Sequence, residues 1–234
     1  MIDRKKSLPR FLGDLGIELP GPLIYWGLRG SRAVGTDDPG SDYDFAGVYV
    51  ETLDSVLGGT KPPATISIIR SEVGADITIW PLRRFFELAA KCNPTVLELL
   101  WSPQQGGLHA ATFRAMRGNI TYNKQAVRVL CHCARGYLQA HVAGKRNKNG
   151  KAGGVALRFA WFAQEAAQGV PLSLPRSPEE QGILRAVTAV GQQAVLTETV
   201  REGTDAAMAA ANLPDKPRPL GMTNRLLHRG VWAL

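Results

Sequence analysis

The chain has 234 residues, 44% of them hydrophobic and 21% charged, a composition that can bury a core in one domain or two small ones. It has no apolar run near the roughly 20 residues needed to span a bilayer, and its charged start lacks the apolar stretch of a signal peptide. Three cysteines, Cys92, Cys131 and Cys133, are too few to read as a disulfide framework, so a reducing cytoplasm is the expected location. The net charge of +8 is unevenly placed. No Asp or Glu lies between Glu98 and Glu165, a stretch holding Arg114, Arg117, Lys124, Arg128, Arg135, Lys145, Arg146, Lys148, Lys151 and Arg158. One-sided charge of this kind is the footprint expected for a polyanionic partner.

Residues 23–28 form a short apolar and aromatic run closed by Arg29-Gly30-Ser31, which predicts a buried strand. Residues 36–41 are dense in turn formers, and residues 43–50 are aromatic and β-branched, a second strand. Residues 64–70 and 76–80 are two more strand candidates, and Gly74 between them makes an antiparallel hairpin the expected connection. After Pro81 the apolar period changes to that of a helix over residues 82–91. Asn93-Pro94 has the chemistry of a cap followed by proline at the first helical position, opening a helix over residues 95–101. Long helices are predicted over residues 124–142, 151–168 and 178–202. The fold class is α+β (α/β): a small mixed β-sheet followed by a helical, basic domain. The change falls near residue 110, giving expected domains of 1–110 and 111–234.

The stretch that carries chemistry is Gly30-Ser31, then Gly35, then Ser41-Asp42-Tyr43-Asp44. A Gly-Ser pair leaving a strand exposes backbone N–H groups and a hydroxyl to an anion, and glycine lets the backbone approach phosphate closely. Asp42 and Asp44, two apart on a strand, point to one face, where they repel each other unless a cation lies between them. Oxygen-only ligands suit a hard cation such as Mg²⁺. Either half alone is common in turns and strand edges. Together, on successive strands, they mark a site.

The pattern Gly30-Ser31-x3-Gly35-x5-Ser41-Asp42-x-Asp44 resembles the signature of the DNA polymerase β nucleotidyltransferase superfamily. That family has a third carboxylate on a later strand, which this resemblance assigns to Asp76. Leu82-Arg83-Arg84-Phe85 and Asn93-Pro94-Thr95-Val96-Leu97-Glu98 are similar to a bacterial and phage branch of predicted nucleotidyltransferases, some found beside RNA-repair genes. Lys151 and Arg158 resemble that branch's Lys/Arg pair, although Val155 stands where the branch often has His. Almost two helical turns separate Lys151 from Arg158, so they share a face.

The resemblance implies transfer of a nucleoside monophosphate from a nucleoside triphosphate to a hydroxyl, with pyrophosphate leaving. It implies Asp42, Asp44 and Asp76 as catalytic and metal-holding residues for a pair of Mg²⁺ ions, with Mn²⁺ as a substitute. Gly30, Ser31, Lys151 and Arg158 become the expected nucleotide-binding residues. The expected acceptor is an RNA end, on the strength of the basic helical half and the repair-associated relatives. A protein hydroxyl, a small-molecule acceptor and a non-catalytic nucleic-acid-binding module are the alternatives. Cys131-His132-Cys133 lacks a second Cys/His pair at zinc spacing. Glu98 reads as part of a helix packing on the sheet, and neither Arg32 nor Lys61 is expected to be catalytic.

Overall fold

The computed structural model describes residues 7–52, 57, 63–70, 74–144, 151–188, 193–210 and 212–217. Its sheet is built from β1 (Leu23–Arg29), β2 (Tyr43–Tyr49), β3 (Ile66–Arg70), β4 (Ala75–Pro81) and β5 (Gln105–Gly106), in the order β3-β4-β2-β1-β5. β1 and β2 pair antiparallel, and β3 with β4 does the same, as the Gly74 signal predicts. β4 lies between its hairpin partner and β2, so β2 and β4 run parallel. This mixed sheet with its helices is the α+β class expected from the pattern.

In β2 and β4 the side chains alternate between two hydrophobic clusters, as the period of two requires. Phe45, Tyr49, Ile77 and Ile79 pack on one side with Leu8 and Leu12 of α1 (Leu8–Asp14). Ala46, Val48 and Trp80 point to the other side, into the larger cluster shared with the helices. Asp44 and Asp76 continue that second row, so both lie on the helical side of the sheet.

The described helices that follow β1 and β4 are α2 (Gly30–Val34), α3 (Leu82–Ala90), α4 (Pro94–Leu100), α5 (Ala110–Thr121), α6 (Lys124–Val142), α7 (Lys151–Gln168), α8 (Pro178–Thr188) and α9 (Gln193–Ala209). α4 starts as its sequence predicts: Asn93 accepts from Thr95 N at 2.9 Å, with Pro94 in the first turn. Its far end is tied to the sheet, because Tyr25 Oη donates to Leu99 O at 3.0 Å and Ser102 Oγ to Leu28 O at 2.6 Å. Where one helix is expected over 178–202, the described residues form α8 and α9 on either side of 189–192. No helix among the described residues is long and apolar enough to cross a membrane.

The larger cluster crosses the boundary expected at residue 110. It runs from Ile24, Tyr25 and Val48 through Phe113 of α5 to Leu130 of α6 and Phe162 of α7. Phe113 is central to it, stacked on Tyr25 at 4.2 Å between ring centroids and edge-on to Phe85 at 5.1 Å. Replacing Phe113 with Ala removes both ring contacts from a fully buried position and is expected to cost about 3–5 kcal/mol. In urea titrations the midpoint should fall while the slope is unchanged, the signature of lost stability rather than altered compactness.

Candidate active site

The three aspartates lie at one end of the sheet, where β1 finishes and β2 and β4 begin. Asp44 and Asp76 are direct partners across the parallel pair, and Asp44 is also the partner of Arg29 across the antiparallel one. Partners in register share a face, so Arg29, Asp44 and Asp76 all look toward the helices. Asp42 precedes β2, where Tyr43 N donates to Gly74 O at 2.7 Å and joins the strand to the head of β4. Asp42 Oδ1 lies 3.3 Å from where a side chain on Gly74 would begin.

Asp44 is partly buried, whereas Asp42 and Asp76 are exposed. Burial pushes the Asp44 carboxyl above its ordinary range; the Arg29 guanidinium opposes this, and the Asp76, Asp42 and Glu98 carboxylates add to it. Among the described residues no three His, Cys, Asp or Glu side chains are drawn together closely enough to hold a metal ion. The aspartates thus share one end of the sheet without forming a closed ligand group among the described residues.

Gly30, at φ +66, opens α2 directly beside this acid. A Cβ at position 30 would fall on Asp44 Oδ2, so the carboxylate occupies space that any other residue would fill. Ser31 is half-buried in the same turn, and its carbonyl accepts from Gly35 N at 2.8 Å and Thr36 N at 3.0 Å. Gly35, at φ +85, closes α2 against Gln181 of α8.

Two braces hold this turn. Arg32 donates from Nε and Nη2 to Ser41 O, pairs with Asp37 at 3.1 Å and lies over the Tyr43 ring at 4.0 Å. It therefore fixes the loop that delivers Asp42, consistent with a positioning rather than a catalytic part. From the helical half, Arg176 N donates to Val34 O at 3.0 Å and Arg185 Nη2 to Gly35 O at 2.7 Å. Arg176 is itself locked in place: its guanidinium pairs with both oxygens of Glu165, at 2.7 and 3.0 Å, and lies near the rings of Trp161 and Phe162.

The nucleotide-binding residues expected from the helical half fare differently. Arg158 is near the site but engaged, with Nη2 2.7 Å from Glu98 Oε1. Lys151 is exposed at the first residue of α7. The run without acidic residues is partly balanced in space by carboxylates from elsewhere in the chain, which corrects the picture of an unopposed basic half. Lys124 pairs with Asp215 at 3.0 Å and Arg135 with Asp205 at 2.6 Å, while Arg117 lies over the Trp101 ring at 4.1 Å. Lys61, Lys145, Arg146 and Lys148 lie outside the described residues. Arg29, which the sequence pattern leaves without a role, and Glu98, expected only to pack its helix on the sheet, form a pair at 3.5 Å beside Asp44.

The raised Asp44 carboxyl gives a pH-dependent expectation for the metal-free protein. Well below the ordinary aspartate range the group is protonated in both folded and unfolded chains, and its native environment carries no penalty. As pH rises through that range the unfolded chain ionises first, and the folded protein is destabilised by the buried charge. Asp44→Asn should therefore raise Tm at pH 7, and the gain should shrink to nothing as thermal scans are taken down toward pH 3.

Residues 8–165 match the family described as the RNA repair pathway DNA polymerase beta family. No curated protein matches the chain. The matched span begins at α1, takes in all three aspartates and the Gly30 turn, and reaches α7 beyond Arg158. A match over well more than half of the chain, with the aspartates side by side at one end of the sheet, makes this protein a member of the RNA repair pathway DNA polymerase beta family.

Proposed function

We propose that the protein is a metal-dependent nucleotidyltransferase that moves a nucleoside monophosphate from a nucleoside triphosphate to an RNA end and releases pyrophosphate. The observation that carries this reading is the register of β2 with β4, which sets Asp44 beside Asp76 with Asp42 two residues ahead. Nothing in the packing of a sheet calls for three acids at one end. The donor set fits a hard cation, being carboxylate oxygen only, with Gly30 leaving room for the Asp44 carboxylate itself. Asp42, Asp44 and Asp76 would hold Mg²⁺, which when bound neutralises charge on the attacking and leaving oxygens.

In the reaction, the acceptor hydroxyl oxygen bonds to the α-phosphorus while the bond from that phosphorus to the α–β bridging oxygen breaks. The electron pair leaves with pyrophosphate, and the hydroxyl proton passes to Asp76, the more exposed of the two register partners. The backbone of Gly30 and the hydroxyl of Ser31 orient the β- and γ-phosphates beside Asp44. Lys151 neutralises the triphosphate, and Arg158 adds its charge from within its pair with Glu98. The family description supports RNA as the acceptor, and the basic stretch between residues 98 and 165 suits a phosphate backbone.

Incubation with each labelled nucleoside triphosphate and Mg²⁺, with and without total RNA, should place label on RNA and release pyrophosphate. Asp42→Asn and Asp76→Asn should each reduce transfer at least about a hundredfold, the scale of a lost general acid–base or charge-stabilising group, with unchanged circular dichroism. Full turnover by either variant would overturn the assignment. Lys151→Ala should raise the KM for nucleotide and leave RNA affinity unaltered.

Binding to single-stranded RNA should weaken with salt, each neutralised phosphate contributing a log–log slope of about −0.7. Replacing Lys145, Arg146 and Lys148 together should make that slope shallower. RNA binding that ignores salt, or none, would favour a protein or small-molecule acceptor.

A further inference from the structure

Arg29 stands opposite Asp44 across β1 and β2, on the same face of the sheet, and is the strongest positive influence on that carboxylate. An arginine so placed is a natural bidentate partner for a carboxylate and, if paired, would occupy the oxygens that a metal ion needs. Yet no ion pair joins Arg29 to Asp44 among the described residues. Arg29 Nη2 is directed to Glu98 Oε2 at 3.5 Å instead.

Glu98 is unusual for its surroundings. It is only 5% exposed, on a helix whose Val96, Leu97, Leu99 and Leu100 are all fully buried. A lone buried carboxylate is costly, and this one is compensated by two arginines: Arg29 from the sheet and Arg158 from α7 at 2.7 Å. Its position is fixed by two hydrogen bonds that tie the chain just beyond it to β1, from Tyr25 to Leu99 and from Ser102 to Leu28. Glu98 is thus held from three directions with Arg29 drawn to it.

We propose that Glu98 is a positioning residue: pinned by Arg158, it holds the Arg29 guanidinium off Asp44 and so leaves the Asp44 carboxylate available to a divalent cation. The proposal rests on the reading of Asp44 as a metal-holding residue. Without the Glu98 charge, Arg29 is left facing Asp44, its register partner on the same face, and cation and guanidinium compete for the same oxygens.

The test is direct Mn²⁺ binding to the full chain by calorimetry, without nucleotide, so that turnover plays no part. Asp44→Asn should abolish binding; if it does not, the metal reading itself fails, independently of Glu98. Glu98→Gln should weaken Mn²⁺ affinity about tenfold, the size of one charge-assisted hydrogen bond that must be broken to free the ligand. Arg29→Met should bind at least as well as the natural protein, and adding Glu98→Gln to it should then change nothing. A general loss of negative charge near the site, or a merely structural part for Glu98, would instead weaken binding equally in both backgrounds and overturn the proposal. So would a Glu98→Gln protein with natural affinity. If Glu98→Gln does not fold, Glu98→Asp carries the same test: its shorter carboxylate keeps the charge but releases Arg29. The expected result is again weaker binding that Arg29→Met relieves, and unchanged affinity would refute the idea.

Discussion

Two carboxylates side by side on neighbouring strands repel, and sheets are ordinarily free of such pairs. Here the repulsion follows from the way the chain is threaded. After β2 the chain passes to the edge at β3 and returns as β4 between β3 and β2, which makes the inner pair parallel and puts Asp44 level with Asp76. The register is held by the rows behind the acids: Phe45, Ile77 and Ile79 must stay on the side of α1, and Ala46, Val48 and Trp80 on the side of the helices. A slip of one residue would send both hydrophobic rows to the wrong clusters. Burial of those rows is what keeps two like charges together, and every other feature of the site is arranged around that fact.

Charge also links the sheet to the helices. Glu98 receives one arginine from each, and Arg176, with a side chain 1% exposed, carries Glu165 and Glu180 as partners while its backbone reaches Val34. Buried ion pairs add little net stability because desolvation offsets most of their attraction. They are demanding about geometry, however, since a displaced partner leaves an uncompensated charge. The stability of the junction comes from the hydrophobic cluster around Phe113 and Phe162, whereas the ion pairs define where each helix sits against the turn and the acids.

Much of this organisation was legible in the sequence. The alternation over residues 43–50 and the aromatic run at 23–28 predict β2 and β1 to within a residue, and α6 and α7 begin and end where their periodicity says. The cap at Asn93 forms as its chemistry requires. Glycine-rich spacing ahead of Asp42 and Asp44 singles out the site because those residues are close in the chain. What could not be read are features too short to show a period, such as the two residues of β5 and the five of α2, and pairings between residues far apart in sequence. Glu98 reads as one more residue of a packing helix, since its partners Arg29 and Arg158 lie on either side in the chain and on different elements. Two charges were hidden for the same reason: Asp205 and Asp215 return to pair with Arg135 and Lys124, and a linear count cannot see them.

The family likeness stops at residue 165, but the carbonyls of Val34 and Gly35 are held by residues 176 and 185. Glu165, the last residue of the matched span, offers both of its oxygens to Arg176, the first residue of that clasp. A chain cut where the likeness ends would keep every acid and lose the grip on the glycine turn beside them. The stretch that carries the family likeness is therefore shorter than the stretch that braces the glycine turn. A relative with a different tail must supply its own means of keeping the Gly-Ser turn closed over Asp44.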